Sequence, residues 1–484
     1  MNWTMRNTFI AAALLVLLSA GNCTSEKKTA LELRSEADLP GLTLAYPSGS
    51  YYQTKYDSRE DVASFATNSE SDAVQAVRQG DADVLVIDEV ALTKDEMKRL
   101  GLKLAFRGEE FFDVAFAVQK GNTELLSQLD RFIASAPMED MITHWTEGTP
   151  AVEEPAFEIA EDAAPLRCIC SVNMAPISYV GDQGEWMGMD PDILRRFAHA
   201  IGRPFQMQYV DFAAAIIALQ TGQADVMSAC LFVTEERKKN VDFSIPYYQC
   251  HPGYFVKDTG NTARMGIGER LKMNLLTEAR WKLIVDGLLE TLKITFLSIL
   301  LGTVLGIGLC ACMRSRRKGL RTLAGLYGAF INGIPTLVLL LIMFYVVFAG
   351  TGVNASLVAV VTFALCFAAS SGAIFDTAIS SVPRGQTEAG LSLGFTPFKT
   401  FTGIVFPQAA QKGIPLYAAE CVALLKSTSI VGYIAIQDIT RASDLIRSRT
   451  FDALIPLVVV TILYFLLAWI IRLLLNLFLT QKII

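Results

Sequence analysis

The stretch 388-EAGLSLGFTPFKTFTGIVFPQA-409 decides how this chain is read. It lies in the most apolar third of the sequence, yet Glu388, Lys399, Gly394, Pro397 and Pro407 interrupt it, so it reads as a soluble helix and turn rather than a span. On either side the charges disappear. Residues 294–313 carry none, the length needed to cross about 30 Å of hydrocarbon as a helix. Residues 322–375 again carry none, and a turn signal, GTGVN, divides them into spans at roughly 330–349 and 355–375. A weaker span covers 413–436, broken by Glu420 and Lys426, and a clear one covers 453–471.

Five spans fix an orientation. RSRRKGLR (314–321) follows the first, and such an excess of Lys and Arg marks the cytoplasmic side. The long region before it then lies outside, and 388–409, with Arg384, Lys399 and Lys412, lies inside along with the final QKII. RASDLIRSR (441–449) falls outside, against the rule. The first 23 residues have the layout of an export signal, with Cys23 placed either as a lipid anchor or beside an ordinary cleavage site.

Bulk properties agree. The 484 residues suffice for about three domains. A net charge of -6 argues against nucleic-acid binding. Mean hydropathy of +0.37 points to a membrane protein with a soluble part. Nine cysteines show no metal-site spacing, and Cys168, Cys170, Cys230 and Cys250 read as buried thiols, although an exported region permits a disulfide among them. His144, His199 and His251 read as surface or packing residues, so neither a metal site nor a catalytic centre is expected. The phosphate loop G-x-x-x-x-G-K-[ST] is missing, so ATP hydrolysis would have to come from a separate protein.

The region before the spans alternates strand-like and helix-like segments, as in a parallel sheet flanked by helices. LRCICSVN, DPDILRRFAHAIG, FQMQYV, FAAAIIALQTGQ and ADVMSACLF form one set (166–232). DLPGLTLAYPSGSYYQ, SDAVQAVRQGDADVLVIDEVAL, FFDVAFAVQKGNTELLSQLDRFIAS and ITHWTEG form an earlier one (38–148). TPAVEEPAFEIAEDAAP between them has the composition of an extended linker.

These motifs carry a resemblance. The 388–409 stretch resembles the EAA loop of ABC importer permeases, with Glu388, Ala389, Gly394, Ile404 and Pro407 at matching positions, Gly390 in place of the usual second Ala and Phe406 in place of the usual Leu. SSVPRGQTEAG, NGIPTLVLLLIMFY and LLKSTSIVGYIAIQDI resemble the polar amino-acid uptake branch, over residues 280–478. Asn332 stands where that branch usually has Arg, and Ala373 and Asp376 where it has Glu and Arg, so substrate contacts of those charges do not transfer. APISYVGDQGEWMGMDPDIL and ALQTGQADVMSACLFVTEERKKNVDFSIPY resemble the first lobe of amino-acid-type solute-binding proteins, and the earlier set resembles the second lobe.

The lobes stand in reverse order. The resemblance therefore implies a circular permutation, with the linker joining the former ends and new ends opening at the hinge, or else lobes paired between neighbouring chains. It also implies a ligand site in which Arg237 takes a carboxylate through its guanidinium fork and Asp88, on the other lobe, takes an ammonium. Read from the residues alone, Arg237 could equally be a solvated helix residue and Asp88 an N-cap. Phe212 is placed to stack on the ligand, Met174 near the first strand's end, and Ser48 and Ser50 to offer hydroxyls and helix-end amides. Phe232 stands where the family usually has Thr or Ser, which removes one expected hydroxyl.

The expectation is an α/β two-lobed periplasmic-binding-protein-like domain, apparently circularly permuted, followed by an all-α five-helix transmembrane permease. Its boundaries are 1–23 signal or anchor, 38–148 second-lobe-like, 149–164 linker, 165–258 first-lobe-like, 259–280 linker and 281–484 permease. The implied function is ATP-driven import of a small polar solute, an amino acid foremost, across a bacterial inner membrane, with the binding domain on the periplasmic side. The implied partners are a cytoplasmic ABC ATPase dimer holding ATP and Mg, and a second permease copy. The alternatives are a ligand-gated channel or sensor, and an ABC importer of another solute such as a betaine.

Overall fold

A computed structural model describes residues 31–480 except 148, 154–162, 172–174, 182–184, 211, 229, 259–265, 350 and 352. The export signal, Cys23 and QKII therefore lie outside the described residues, as does Met174. The chain divides into two compact units, one built from 31–111 with 251–258, the other from 112–250 with the remainder.

In the first unit, β1 (Thr43–Pro47), β2 (Ala63–Thr67) and β3 (Val84–Asp88) run parallel, while β4 (Leu102–Arg107) and the late strand β14 (Pro252–Lys257) complete a sheet of order β2-β1-β3-β14-β4. Parallel neighbours need crossovers. Helices Tyr51–Tyr56 and Glu70–Gln79 supply them, the second capped by Ser69 and ended by Gly80 at φ +91°, a conformation that favours glycine. Val84 to Ile87 are buried, the apolar run expected of a central strand. Lys55 reaches Glu36 and Glu110, each at 2.9 Å, and the Tyr254 hydroxyl donates to Glu36 at 2.7 Å, which fastens both ends of the segment to the sheet.

The second unit begins with the other sheet. Its strands are β5 (Phe112–Val114), β6 (Ala117–Gln119), β7 (Leu166–Cys170), β8 (Tyr179–Val180), β9 (Trp186–Met187), β10 (Phe205–Tyr209), β11 (Val226–Ser228), β12 (Val241–Phe243) and β13 (Tyr248–Cys250). The main sheet runs β10-β7-β11-β6-β12, parallel through β10, β7 and β11 and antiparallel at β6.

The sheets trade segments relative to the sequence boundaries. Residues 112–148 belong with the 166–250 set, and β14 belongs with the 38–107 set. The chain passes between units at 111/112 and 250/251, both unbroken, and β5 and β13 pair antiparallel beside those crossings. The new ends expected at the hinge thus open instead in the first unit, where Asp258 N–H donates to Gly101 O after β14. Sheet pairing decides this, because β14 fills the slot between β3 and β4 only if it belongs to that unit.

The membrane part holds, among the described residues, four helices long and apolar enough to span: Trp281–Met313, Ala355–Ser380, Pro397–Ile434 and Leu454–Leu475. The expected span at 330–349 is instead a pair, Lys318–Gly333 and Thr336–Val347, bent by 101°. Pro335 at the joint explains the break, since it lacks the N–H that would continue the helix. Counting the pair as one span gives five. The first and third spanning helices approach closely through small residues: a Cβ on Gly302 would meet Ala364 O at 2.8 Å, and one on Gly372 would meet Gly306 O at 3.1 Å.

Two further expectations change. Residues 267–280 are not a free linker but short helical turns moored to the membrane part, with Arg270 Nε on Asp452 at 2.8 Å and fully buried Asn274 bridging Asp452 and Thr450. The quoted stretch is also more than the one helix and turn expected. Helix Arg384–Ser392 ends in a turn at Gly394, φ +81°, and a second helix runs from Pro397 through a π turn, Phe401–Val405, to Ser427. The wider π turn lies directly before Pro407, which the following helix accepts in its first turn.

Candidate ligand and coupling sites

Three loops meet at the carboxyl ends of the parallel strands of the first unit, the edge where open α/β sheets take ligands. Asp88 ends β3, and its Oδ1 accepts the Tyr52 hydroxyl at 2.6 Å. Although Asp88 precedes the turn Glu89–Ala91, its side chain does not cap it. Ser50 is committed locally: it accepts Gln53 N–H at 3.4 Å and donates to Pro47 O at 2.6 Å. Ser48 is exposed, its amide on Thr67 O at 2.7 Å.

Sequence reasoning missed Glu70 on this edge. It opens the helix after β2 as a half-buried residue, and its carboxyl is pushed up to about 7 by burial, against its own N–H, with the charges of Asp88 and Asp72 adding to the rise. A carboxylate pair at one edge suits a cation. Tyr52, which steadies Asp88, was equally unmarked, because only folding brings it across from the β1 loop.

Arg237, in the second unit, opens the turn Arg237–Lys239 and donates from Nη1 to Phe232 O at 3.0 Å, while its amide sits on Thr234 Oγ1 at 3.3 Å. The guanidinium is thus held by its own loop. Phe232 does not face outward: it is 4% exposed, bridges in backbone to Val114, and stacks on Phe112 with ring centroids 4.7 Å apart. Phe212 starts helix Phe212–Gln220, but its side chain lies outside the described residues.

Beneath this loop lies a third missed residue. Asp190 is fully buried, accepts the Tyr247 hydroxyl at 2.6 Å and the Cys230 N–H at 3.4 Å, and is pushed up to about 6 by burial, a rise these bonds oppose. It secures Cys230, whose φ of +47° turns the chain toward Phe232 and Arg237. Its sequence signal was an acid among the apolar residues of the GMDPDIL segment.

The eight described cysteines are free thiols. His144 and His251 bond backbone carbonyls. An open groove of about 700 Å³ lined by Arg131, Phe132, Arg203 and Asp225 lies elsewhere in the second unit and includes none of the predicted residues.

At the candidate coupling segment, Glu388 and Ala389 are exposed and Gly390 is buried. Every residue from 391 to 399 is exposed, with Leu393 at 75% and Phe398 at 76%. Gly390 accounts for its departure from the family pattern, since a Cβ there would lie 2.7 Å from Thr400 Cγ2 and 2.9 Å from Ile404 Cδ1. Asp376, in the third span, pairs with Arg314 at 2.9 Å.

Comparison with known proteins adds the following. Residues 166–412 match the family model of bacterial extracellular solute-binding proteins, family 3. The chain is similar to the probable amino-acid ABC transporter permease protein YckA of Bacillus subtilis, 32% identical over 182 residues, covering 37% of this chain and 80% of the relative. It is also similar to the L-cystine transport system permease protein TcyB of the same organism, 30% identical over 196 residues, covering 40% and 84%. Among solved structures it matches an amino acid ABC transporter with histidines, at 30% identity and a TM-score of 0.39, over 43% of this chain and 97% of the other.

Proposed function

We propose that this chain, which belongs to the bacterial extracellular solute-binding proteins, family 3, and to the amino-acid ABC transporter permeases, is a fused receptor and permease that imports an amino acid at the expense of ATP hydrolysed by a separate ATPase. The observation that carries this reading is the bare apolar tip between helices Arg384–Ser392 and Pro397–Thr400. Exposed Leu393, Phe395 and Phe398 on a rigid helix-turn-helix within a permease sequence are the surface a soluble motor would grip. The family-model match begins at residue 166, on β7, which supports the permuted order.

In this reading the membrane part lies in the bacterial inner membrane, the two sheet units lie on its outer side and the tip lies inside, where a dimeric ABC ATPase with ATP and Mg drives a pair of permease copies. Arg237, preset by the Phe232 carbonyl, receives the ligand carboxylate, and Asp88, preset by Tyr52, receives the ammonium. Ser48 adds a hydroxyl. Receptor and permease share one chain, so added soluble receptor should not stimulate uptake.

The test is co-purification with a co-expressed ABC ATPase of the polar amino-acid class, followed by uptake of a labelled amino-acid mixture into proteoliposomes. Wild type should retain the ATPase and take up label only with ATP. Glu388→Lys should lose the ATPase, and Arg237→Ala should lose binding while keeping it. Unchanged association of Glu388→Lys would refute the coupling role, and uptake without ATP would favour a channel.

A further inference from the structure

The basic helix Ile439–Thr450, anomalous by the positive-inside rule, joins two parts of the second unit. One side is fixed to the membrane part. Asp438 caps it, accepting Arg441 N–H at 2.9 Å and Thr440 N–H at 3.2 Å, and also takes the Tyr464 hydroxyl at 3.2 Å. Ile439 N–H donates to Thr291 Oγ1 at 3.2 Å, and a Cβ on Gly287 would meet Asp438 O at 2.7 Å, so the first spanning helix lies directly against the cap.

Its other side carries arginines to the sheet of the same unit. Arg441, 9% exposed, stands over the Tyr209 ring at 4.0 Å from its centroid, and Arg449 over the Tyr179 ring at 4.3 Å. Tyr209 ends β10 and Tyr179 begins β8. Apolar contacts flank these pairs. Tyr345 and Ala435 of the membrane part pack on the sheet domain's own core cluster around Ala117, Leu219 and Val241, and Val180 packs among Leu283, Ile439, Ala442 and Ile446. Gln223 Nε2 donates to Phe344 O at 2.7 Å.

We infer that the Arg237-bearing lobe is permanently seated on the permease, with helix Ile439–Thr450 as its berth, and that docking is not a step of the transport cycle. Domains in one chain move relative to each other by default, unless the interface is large and hydrophobic. Here the seat continues the lobe's own core, so lifting the lobe would strip Tyr345 and Ala435 from that cluster and return two stacked guanidiniums to water. The arginines that broke the topology rule thus act as anchors. A ligand bound at Arg237 is then felt by the permease through a standing contact.

The test uses the full-length chain with Tyr179→Cys and Arg449→Cys, bridged by a short, reducible bis-methanethiosulfonate, and wild type treated alike to account for native thiols. Bridging should be complete without ligand and unchanged by an amino-acid mixture. In proteoliposomes with the ATPase, the bridged protein should take up the mixture as fast as the same protein after reduction. A fall of about tenfold, restored by reduction, would show that the lobe must leave its seat and would overturn the inference. So would failure to bridge without ligand. Should the double variant not fold, hydrogen exchange of residues 439–450 in the wild-type chain, with and without the mixture and with ATP-vanadate on the ATPase, reads the same seat: constant protection is expected, and a tenfold loss in any state overturns it. The inference extends the import reading but does not share its fate, because bridging and exchange report seating even if no amino acid is carried.

Discussion

Two short helices flank the later spans, and their surfaces are opposite. Helix Ile439–Thr450 buries Ile439, Ala442, Ser443, Leu445 and Ile446 along with Arg441. Helix Arg384–Ser392 buries only Gly390 and leads into seven further exposed residues, 393–399. Both are punctuated by polar and charged residues, so composition does not separate them. What separates them is whether the partner surface belongs to the same chain: the first has met its partner, and the second presents apolar side chains that a free monomer would not leave in water. The sharpest way to break this comparison is a matched pair of substitutions. Ile439→Ser removes a fully buried side chain and should lower stability by about 3–4 kcal/mol, seen in thermal melts of the full chain. Leu393→Ser should stay within about 0.5 kcal/mol while abolishing ATPase co-purification. A comparable loss for Leu393→Ser would mean that the tip is packed within its own chain.

Much of this contrast could be read from the residues. The spans stood out as uncharged runs, the tip as a charged and Gly/Pro-punctuated interruption, and the two sheets as alternating segments. The exchange of β6 and β14 between sheets was not legible, because each is a short apolar run whose partners lie more than a hundred residues away. The Pro335 bend was missed because hydropathy ignores backbone donors, and the moored turns at 267–280 because their polar groups are satisfied by Asp452 and Thr450, far along the chain. At the proposed ligand site, Arg237 and Asp88 were singled out by their motifs alone. Their supports, the Phe232 carbonyl and the Tyr52 hydroxyl, required coordinates, as did Asp190, whose role depends on the left-handed backbone at Cys230.

The covered side can be tested for rigidity through Asp190, which supports the Arg237 loop of the seated lobe. Its folded pKa is raised from 3.8 to about 6 by burial, so the stability it contributes is fully present below the unfolded value and lost as pH rises through about 6. Between pH 4 and pH 7 the loss approaches about 3 kcal/mol for a raised shift of that size. Asp190→Asn stays neutral throughout. Its baseline should fall, because an amide now faces Cys230 N–H, but melts from pH 4.5 to 7.5 should lose Asp190's share of the downward slope and keep that of Glu70, whose carboxyl is pushed up to about 7. A slope undiminished in Asp190→Asn would assign the titration to Glu70 or another group.

The bare side is loose only on its outer surface. Inside, Gly390 lies so close to Thr400 and Ile404 that the Ala usual in the family would act as a wedge. Gly390→Ala should cost about 1–3 kcal/mol and shift the first helix of the tip outward, which weakens ATPase retention without touching an exposed residue. Pairing it with Ile404→Val, which returns a methyl's worth of space, should recover part of the loss. If Gly390→Ala is neutral, the close packing there is not what holds the tip in place.

The smallest effect probes the covered side most directly. Arg441 and Arg449 differ in surroundings: Arg449 also has Glu278 at 3.4 Å, whereas Arg441 lies over Tyr209 with little of its surface open. A double-mutant cycle of Arg441→Gln with Tyr209→Leu, read in melts of the full chain, should give a coupling of about 1 kcal/mol, because a guanidinium over an aromatic face gains more when water is excluded. The same coupling should change little between low and high salt, since a contact of this kind lies within the protein and not across a solvent gap. The Arg449 and Tyr179 cycle should be smaller and more salt-sensitive, because the Glu278 carboxylate already compensates that charge. Equal couplings at both positions, each lost in salt, would mean that the arginines meet the lobe through water as surface charges, and the berth would then be a contact made and broken like any other domain interface.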